Sequence, residues 1–202
     1  MAETANHPHD RDAPETLLER YIAGDDVAFG ELVGRYEEKL FAFIARMIGD
    51  SHLAEDVFQQ VFIKVAKNAA AFDGRASFST WLYRIARNAA LDEMRRRSRR
   101  PEEHAGTAGQ FETMLDPAAI PPPEALTRQE LAERVRAALR QIPEAQREAF
   151  LLKEEGDLDF GEIGAVLGCG RETAKSRFRL AVGKLRAILG MDDGAAQGDV
   201  NG

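Results

Sequence analysis

Apolar residues in this sequence recur at steps of three and four, and nowhere does a strand-like alternation persist. That spacing places one apolar stripe on a helix, so the chain is constrained to pack helix against helix. Phe29, Leu32, Val33, Tyr36, Leu40, Phe43, Ile44 and Met47 follow the caps offered by Asp25 and Asp26, and this helix closes near Gly49. A second helix begins after Ser51 with the stripe Leu53, Val57, Phe58, Val61, Phe62 and Val65. Asn68 to Ser77 reads as a loop around Asp73-Gly74, and a third helix runs from Ser77–Ser79 to about Arg100, with Trp81, Leu82, Ile85 and Ala89 inward. Pro101 stops it.

The stretch from 101 to 125 holds Gly106, Gly109, Pro117 and the run Pro121-Pro122-Pro123, and it reads as a linker. Helical spacing resumes at Leu131, Val135, Ala138 and Leu139. Pro143 suits the first position of the next helix. Asp159, with Glu162 three residues on, has capping-box form for a short helix closed by Gly168. After Cys169-Gly170 a last helix extends from Arg171 to about Leu189, with Ala174, Phe178, Ala181 and Leu185 facing the core. The expected fold is all-α: a disordered tail at 1–16, a helical domain at 17–100, a flexible linker at 101–125, a helix-turn-helix domain at 126–189 and a disordered tail at 190–202.

The formal net charge, −7, argues against a nucleic-acid partner. Its distribution reverses that reading. Residues 1–60 carry −8, residues 61–100 carry +7, residues 101–170 carry −8 and residues 171–202 carry +2. Phosphate backbones respond to local Lys/Arg density rather than to net charge. The two basic stretches differ in chemistry. From Asp159 to Arg186 a short helix, a glycine turn and a second helix form a helix-turn-helix pattern. Its last helix buries one stripe and offers Arg171, Glu172, Thr173, Lys175, Ser176, Arg177 and Arg179 to a major groove. A surface helix with a solvated basic face is the simpler alternative.

Between Phe72 and Arg100, aromatic and basic residues interleave: Phe72, Arg75, Phe78, Trp81, Tyr83, Arg84 and Arg87, with Asn88, then Arg95, Arg96, Arg97, Arg99 and Arg100. Unpaired bases expose faces that aromatics stack on within a basic groove, and Phe72 and Tyr83 suit that task. Trp81 and Phe78 also suit a core, and the arginine run also suits a solvated helix end favoured by the dipole. Enzyme chemistry finds no support. His7, His9, His52 and His104 have no metal-ligand spacing, and Cys169 excludes an internal disulfide or a multi-cysteine zinc site. No glycine-rich phosphate loop follows a strand. No metal, no cofactor and no catalytic residue is expected. No apolar run approaches the roughly 20 residues that span a bilayer, and no signal core precedes residue 17, so the expected place is the cytoplasm, without membrane insertion.

Three segments, in order, resemble bacterial RNA polymerase sigma factors. Ala54-Glu55-Asp56-Val57-Phe58-Gln59-Gln60-Val61-Phe62-Ile63-Lys64-Val65 is similar to their polymerase-binding helix. Phe78-Ser79-Thr80-Trp81-Leu82-Tyr83-Arg84-Ile85-Ala86-Arg87-Asn88, followed by Asp92 and Arg95-Arg96, resembles their promoter-melting and minus-ten-reading helix. Leu167-Gly168 through Thr173-Ala174-Lys175-Ser176-Arg177 resembles the helix-turn-helix that reads the minus-thirty-five element. Two domains without a large middle one is the compact extracytoplasmic-function (ECF) type. Gln60 stands where Glu is common, Gly170 for Ser, Ala174 for Val and Leu180 for Arg.

The resemblance implies a non-catalytic factor that binds core polymerase through Asp56, Gln59, Gln60 and Ile63. It implies that Phe72, Asp73, Arg75, Arg84, Asn88, Arg95 and Arg96 contact the minus-ten element. It also implies that the exposed residues of the last helix contact duplex DNA, and that an anti-sigma factor holds the protein inactive. A helix-turn-helix regulator that never touches polymerase is the rival reading.

Overall fold

The computed structural model describes residues 12–99 and 127–191; the linker and most of both tails lie outside the described residues. Those residues form eight α-helices: α1 (Pro14–Ile22), α2 (Asp26–Ile48), α3 (Ser51–Asn68), α4 (Phe78–Arg99), α5 (Arg128–Gln141), α6 (Glu144–Glu154), α7 (Phe160–Leu167) and α8 (Arg171–Leu189). A 3-10 turn, Ala69–Ala71, follows α3. There is no strand among the described residues, and no helix there is long and apolar enough to cross a membrane.

Local chemistry sets the ends of these helices. Asp25 accepts from the Val27 and Ala28 amides at the start of α2, and Gly49 closes it in the left-handed region at φ 78°. Asp50 caps α3 through the His52 and Leu53 amides. Helix α1 begins at Pro14, three residues ahead of the domain start read from the sequence, and buries Leu17 and Leu18 completely. The Glu15 carboxylate accepts the Phe78 amide at 2.7 Å, which ties α1 to the start of α4. In the N-terminal unit α2 packs on α1, α3 and α4 around Leu32, Leu40, Phe43, Ile44, Val57, Val61, Val65, Phe78 and Leu82. In the C-terminal unit α5, α6 and α7 pack on α8 around Leu139, Leu151, Leu152, Ile163, Ala174 and Ala181.

The two units share one core. Helix α4 packs on α7, and α2 on α6. The Tyr83 hydroxyl donates to the Glu155 carbonyl at 3.0 Å, and burial pushes that phenol's pKa up. Gly156 makes room for the ring: a Cβ there would lie 3.3 Å from Tyr83 Cζ and 2.6 Å from the Leu152 carbonyl oxygen. Arg46 pairs with the Glu155 carboxylate.

The Asp159 side chain accepts from the Gly161 and Glu162 amides, and Glu162 returns a bond to the Asp159 amide, as the capping-box reading requires. The Glu162 and Gly161 amides hold the Asp159 carboxyl below the usual carboxylate range. Asp159 therefore stabilises the fold fully above its unfolded pKa of about 4, and that contribution is lost as pH falls through the depressed folded value. Asn also caps helices well but does not titrate. Asp159→Asn should lose stability less steeply than the parent between about pH 5 and pH 3. Urea unfolding at each pH measures this; parallel curves would show that the cap carries no such linkage.

Candidate nucleic-acid and partner interfaces

Helix α3 turns Val57, Val61 and Val65 inward and leaves Asp56, Gln59, Gln60 and Ile63 together on the outer face, all exposed. The periodicity requires this, since the four positions fall within about a third of the helix circumference. Ile63 is 51% exposed, an aliphatic side chain in solvent beside a carboxylate and two amides. Such a patch suits a partner that brings both an apolar contact and hydrogen-bonding groups.

Helix α4 carries Arg84, Asn88, Arg95 and Arg96 on its exposed face. Arg96 forms a two-pronged pair with Glu93 at 2.9 and 3.0 Å, and Arg95 lies 3.6 Å from Asp92. The Arg95–Asp92 pair is exposed on both sides and contributes at most about 1 kcal/mol, so a phosphate can displace it. Arg97 instead bonds Asp50 at 3.4 Å and fixes the end of α4 to the start of α3. One groove is lined by Gln60, Lys64, Asp92, Glu93 and Arg96, so the outer edge of α3 and the basic end of α4 adjoin.

The loop before α4 holds Phe72, Asp73 and Arg75. Phe72 is half-buried, with its ring centroid 5.3 Å from Trp81 and 6.2 Å from Phe78. Asp73 accepts the Arg75 amide at 3.1 Å, and the Arg75 side chain is 89% exposed. Tyr83 differs from the sequence reading, which offered it as a stacking surface. It is fully buried, T-shaped against Phe43 at 5.3 Å and bonded to Glu155. Its position on α4 belongs with the inward Leu82, Ala86 and Ala90.

The helix-turn-helix is built on small residues. Gly168 takes φ 67°, and Gly164 lets the turn approach so closely that a Cβ there would sit 2.6 Å from the Cys169 carbonyl oxygen. Ala174 and Ala181 are completely buried, while Arg171, Glu172, Thr173, Lys175, Ser176 and Arg179 are exposed. Arg177 is half-buried and donates to the Cys169 sulfur at 3.6 Å, so it lies at the edge of the face rather than within it. Phe178 is half-buried too, stacked on Phe150 at 6.1 Å and tilted against Phe160 at 5.6 Å.

Two features had no local signal in the sequence. Arg87 forms a two-pronged pair with Glu148 on α6, at 2.9 and 3.1 Å. Glu162, already part of the cap of α7, accepts from Ser77 Oγ at 2.6 Å and Thr80 Oγ1 at 3.2 Å at the start of α4.

Comparison with known proteins accounts for both halves of the chain. The family model for Sigma-70 region 2 matches residues 32–100, and that for Sigma-70, region 4, matches residues 132–185. The chain is 36% identical over 167 residues to RNA polymerase sigma-H factor of Pseudomonas aeruginosa, covering 81% of this chain and 86% of that one. It is 33% identical to ECF RNA polymerase sigma factor SigW of Bacillus subtilis (82% and 91% covered) and 33% identical to ECF RNA polymerase sigma-E factor of Escherichia coli (81% and 87%). Among solved structures, CnrH in complex with the cytosolic domain of CnrY superposes with a TM-score of 0.66 at 28% identity, covering 90% of this chain and all of that one. The sigma factor RpoE in complex with the anti-sigma factor NepR, from Bartonella quintana, gives 0.65 at 25% identity, covering 82% and 98%. With both regions matched in order and relatives aligned over most of their length, the chain belongs to the ECF family of RNA polymerase sigma factors.

Proposed function

We propose that this sigma factor docks on core polymerase through the outer face of α3 and divides promoter contact between two helices. Asp56, Gln59, Gln60 and Ile63 form the core-binding face. Phe72, Asp73, Arg75, Arg84, Asn88, Arg95 and Arg96 hold the minus-ten element in its melted form. The exposed residues of α8 from Arg171 to Arg179 read duplex DNA at the minus-thirty-five element. The observation that carries this division is the difference between the two faces. The loop before α4 places a half-exposed aromatic, Phe72, beside exposed guanidinium groups, whereas α8 presents hydrogen-bonding and charged groups with no aromatic on its exposed side. The protein acts without catalysis, in the cytoplasm, and an anti-sigma factor is its natural inhibitor. Both solved relatives described above are complexes, one of them named as an anti-sigma complex.

The test is a footprint of folded variants with core polymerase, using permanganate reactivity of unpaired thymines to report melting. Losing a good base contact typically costs about 1–3 kcal/mol. Arg179→Ala should weaken binding to the closed promoter roughly tenfold. Asn88→Ala should bind the closed promoter nearly as the parent does and lose thymine reactivity. Asp56→Arg should lower core affinity before DNA is added. Normal melting by Asn88→Ala with failed melting by a normally recruited Arg179→Ala would reverse the two roles.

A further inference from the structure

Arg87 of α4 is bound to a carboxylate of the C-terminal unit, that of Glu148 on α6. It lies three residues from Arg84 and beside Asn88, at the margin of the basic face. Its partner Glu148 is 2% exposed. A carboxylate buried to that degree is tolerated because the guanidinium meets it with both prongs. The same planar fork fits a phosphate, so Glu148 occupies the place that a nucleic-acid backbone would take. Two more carboxylates of the C-terminal unit reach across the same way, Glu155 to Arg46 and Glu162 to Ser77 and Thr80. Three carboxylates of the C-terminal unit are thus held by the N-terminal unit, and of these contacts Arg87–Glu148 joins the acidic block of residues 101–170 to the basic block of residues 61–100.

The closed arrangement is too small for a promoter. Elements centred near minus ten and minus thirty-five lie about 25 base pairs apart, roughly 85 Å along the duplex at 3.4 Å per pair. A compact chain of 202 residues has a radius of gyration of roughly 17 Å, or about 45 Å across. Helices α4 and α8 cannot engage both elements while α4 packs on α7. Both charges regain water when the units part, so the pair does not bar opening, whereas loss of one partner leaves the other uncompensated in the closed form alone.

We propose that Arg87 is a DNA-phosphate contact masked by Glu148, and that the pair is a latch holding the two units closed until core polymerase and promoter separate them. The proposal rests on the reading of α4 and α8 as the promoter-contacting helices, but its first test needs no DNA. Small-angle X-ray scattering of the free full-length chain should show a larger radius of gyration for Glu148→Gln than for the parent, with helix content unchanged by circular dichroism. The exchange R87E with E148R should restore the parent value.

The second test is the salt dependence of the melted-promoter complex with core polymerase. Each phosphate contact contributes about 0.7–0.9 to the slope of log K against log salt. Arg87→Ala and the exchanged variant should each lower that slope by about one contact, while Glu148→Gln should leave it at the parent value. Equal radii for the parent, Glu148→Gln and Arg87→Ala would overturn the latch. An unchanged slope in Arg87→Ala, or in the exchanged variant where Arg87→Ala fails to fold, would overturn the phosphate contact. Failure of the α4 and α8 assignment would appear separately, in the footprints of Asn88→Ala and Arg179→Ala.

Discussion

Phe43→Ala should destabilise the chain by about 3–5 kcal/mol, the range for truncating a fully buried phenylalanine. Phe43 is completely inaccessible, and its ring meets Tyr83 edge to face at 81°. For a chain of this size each kcal/mol shifts the midpoint by about 2–4 °C, so a fall of roughly 10 °C is expected in calorimetry. The position also reports on how the units are joined. Tyr83 connects Phe43 to the turn at Glu155 and Gly156, so the cavity should weaken the C-terminal unit as well. Trp81 is the only tryptophan and reports on the N-terminal unit, while circular dichroism reports on all helices. The two transitions should move together. Divergence of the two probes would show that the units unfold independently.

Gly164→Ala should also be damaging, for the opposite reason. The added carbon would stand 2.6 Å from the Cys169 carbonyl oxygen and 3.4 Å from the Arg171 amide nitrogen, both backbone atoms. The turn must open to admit it, and overpacking of this kind costs about 1–3 kcal/mol. Helix α8 starts at Arg171, so any shift of the turn moves the whole DNA-facing side of α8. Duplex promoter affinity, measured with core polymerase, should fall about tenfold or more. Gly183→Ala is the control. Nothing lies within 4 Å of a Cβ at that helical position, so the change should be neutral or stabilising by up to about 1 kcal/mol. Equal behaviour of the two variants would remove the close approach as an explanation for Gly164.

Much of the fold was legible because its determinants are local. The α2 boundaries follow from Asp25 and Gly49, and the α7 boundaries from Asp159, Glu162 and Gly168. The outer face of α3 was legible too, because periodicity alone separates Asp56, Gln59, Gln60 and Ile63 from the valines. Pro143 proved to be the N-cap of α6 rather than its first residue. The start of α1 was missed although Pro14 at the first helical position, followed by Glu15, is a helix-start pattern. Tyr83 was misread because an aromatic among arginines resembles a stacking surface. Its register with Ala86 and Ala90 assigned it inward. Arg87–Glu148 and Glu162–Ser77 had no signal of any kind. The partners are 61 and 85 residues apart in sequence, and only the docking of one unit on the other brings them together.

Glu162 spends its two oxygens on different parts of the molecule. One accepts the Asp159 amide within its own helix start, and the other accepts the Ser77 and Thr80 hydroxyls. Helix α4 therefore begins under two carboxylates that are not its own, since Glu15 takes the Phe78 amide. The consequence concerns modularity. Regions of a sigma factor look exchangeable, because each is matched as a separate block. Here the first turn of α4 is completed by side chains from either side of it in the chain. A chimaera that joins this C-terminal unit to the N-terminal unit of a relative inherits a matched set only if positions 15, 77, 80 and 162 travel together. Without them each half keeps its own helices while their junction loses its register.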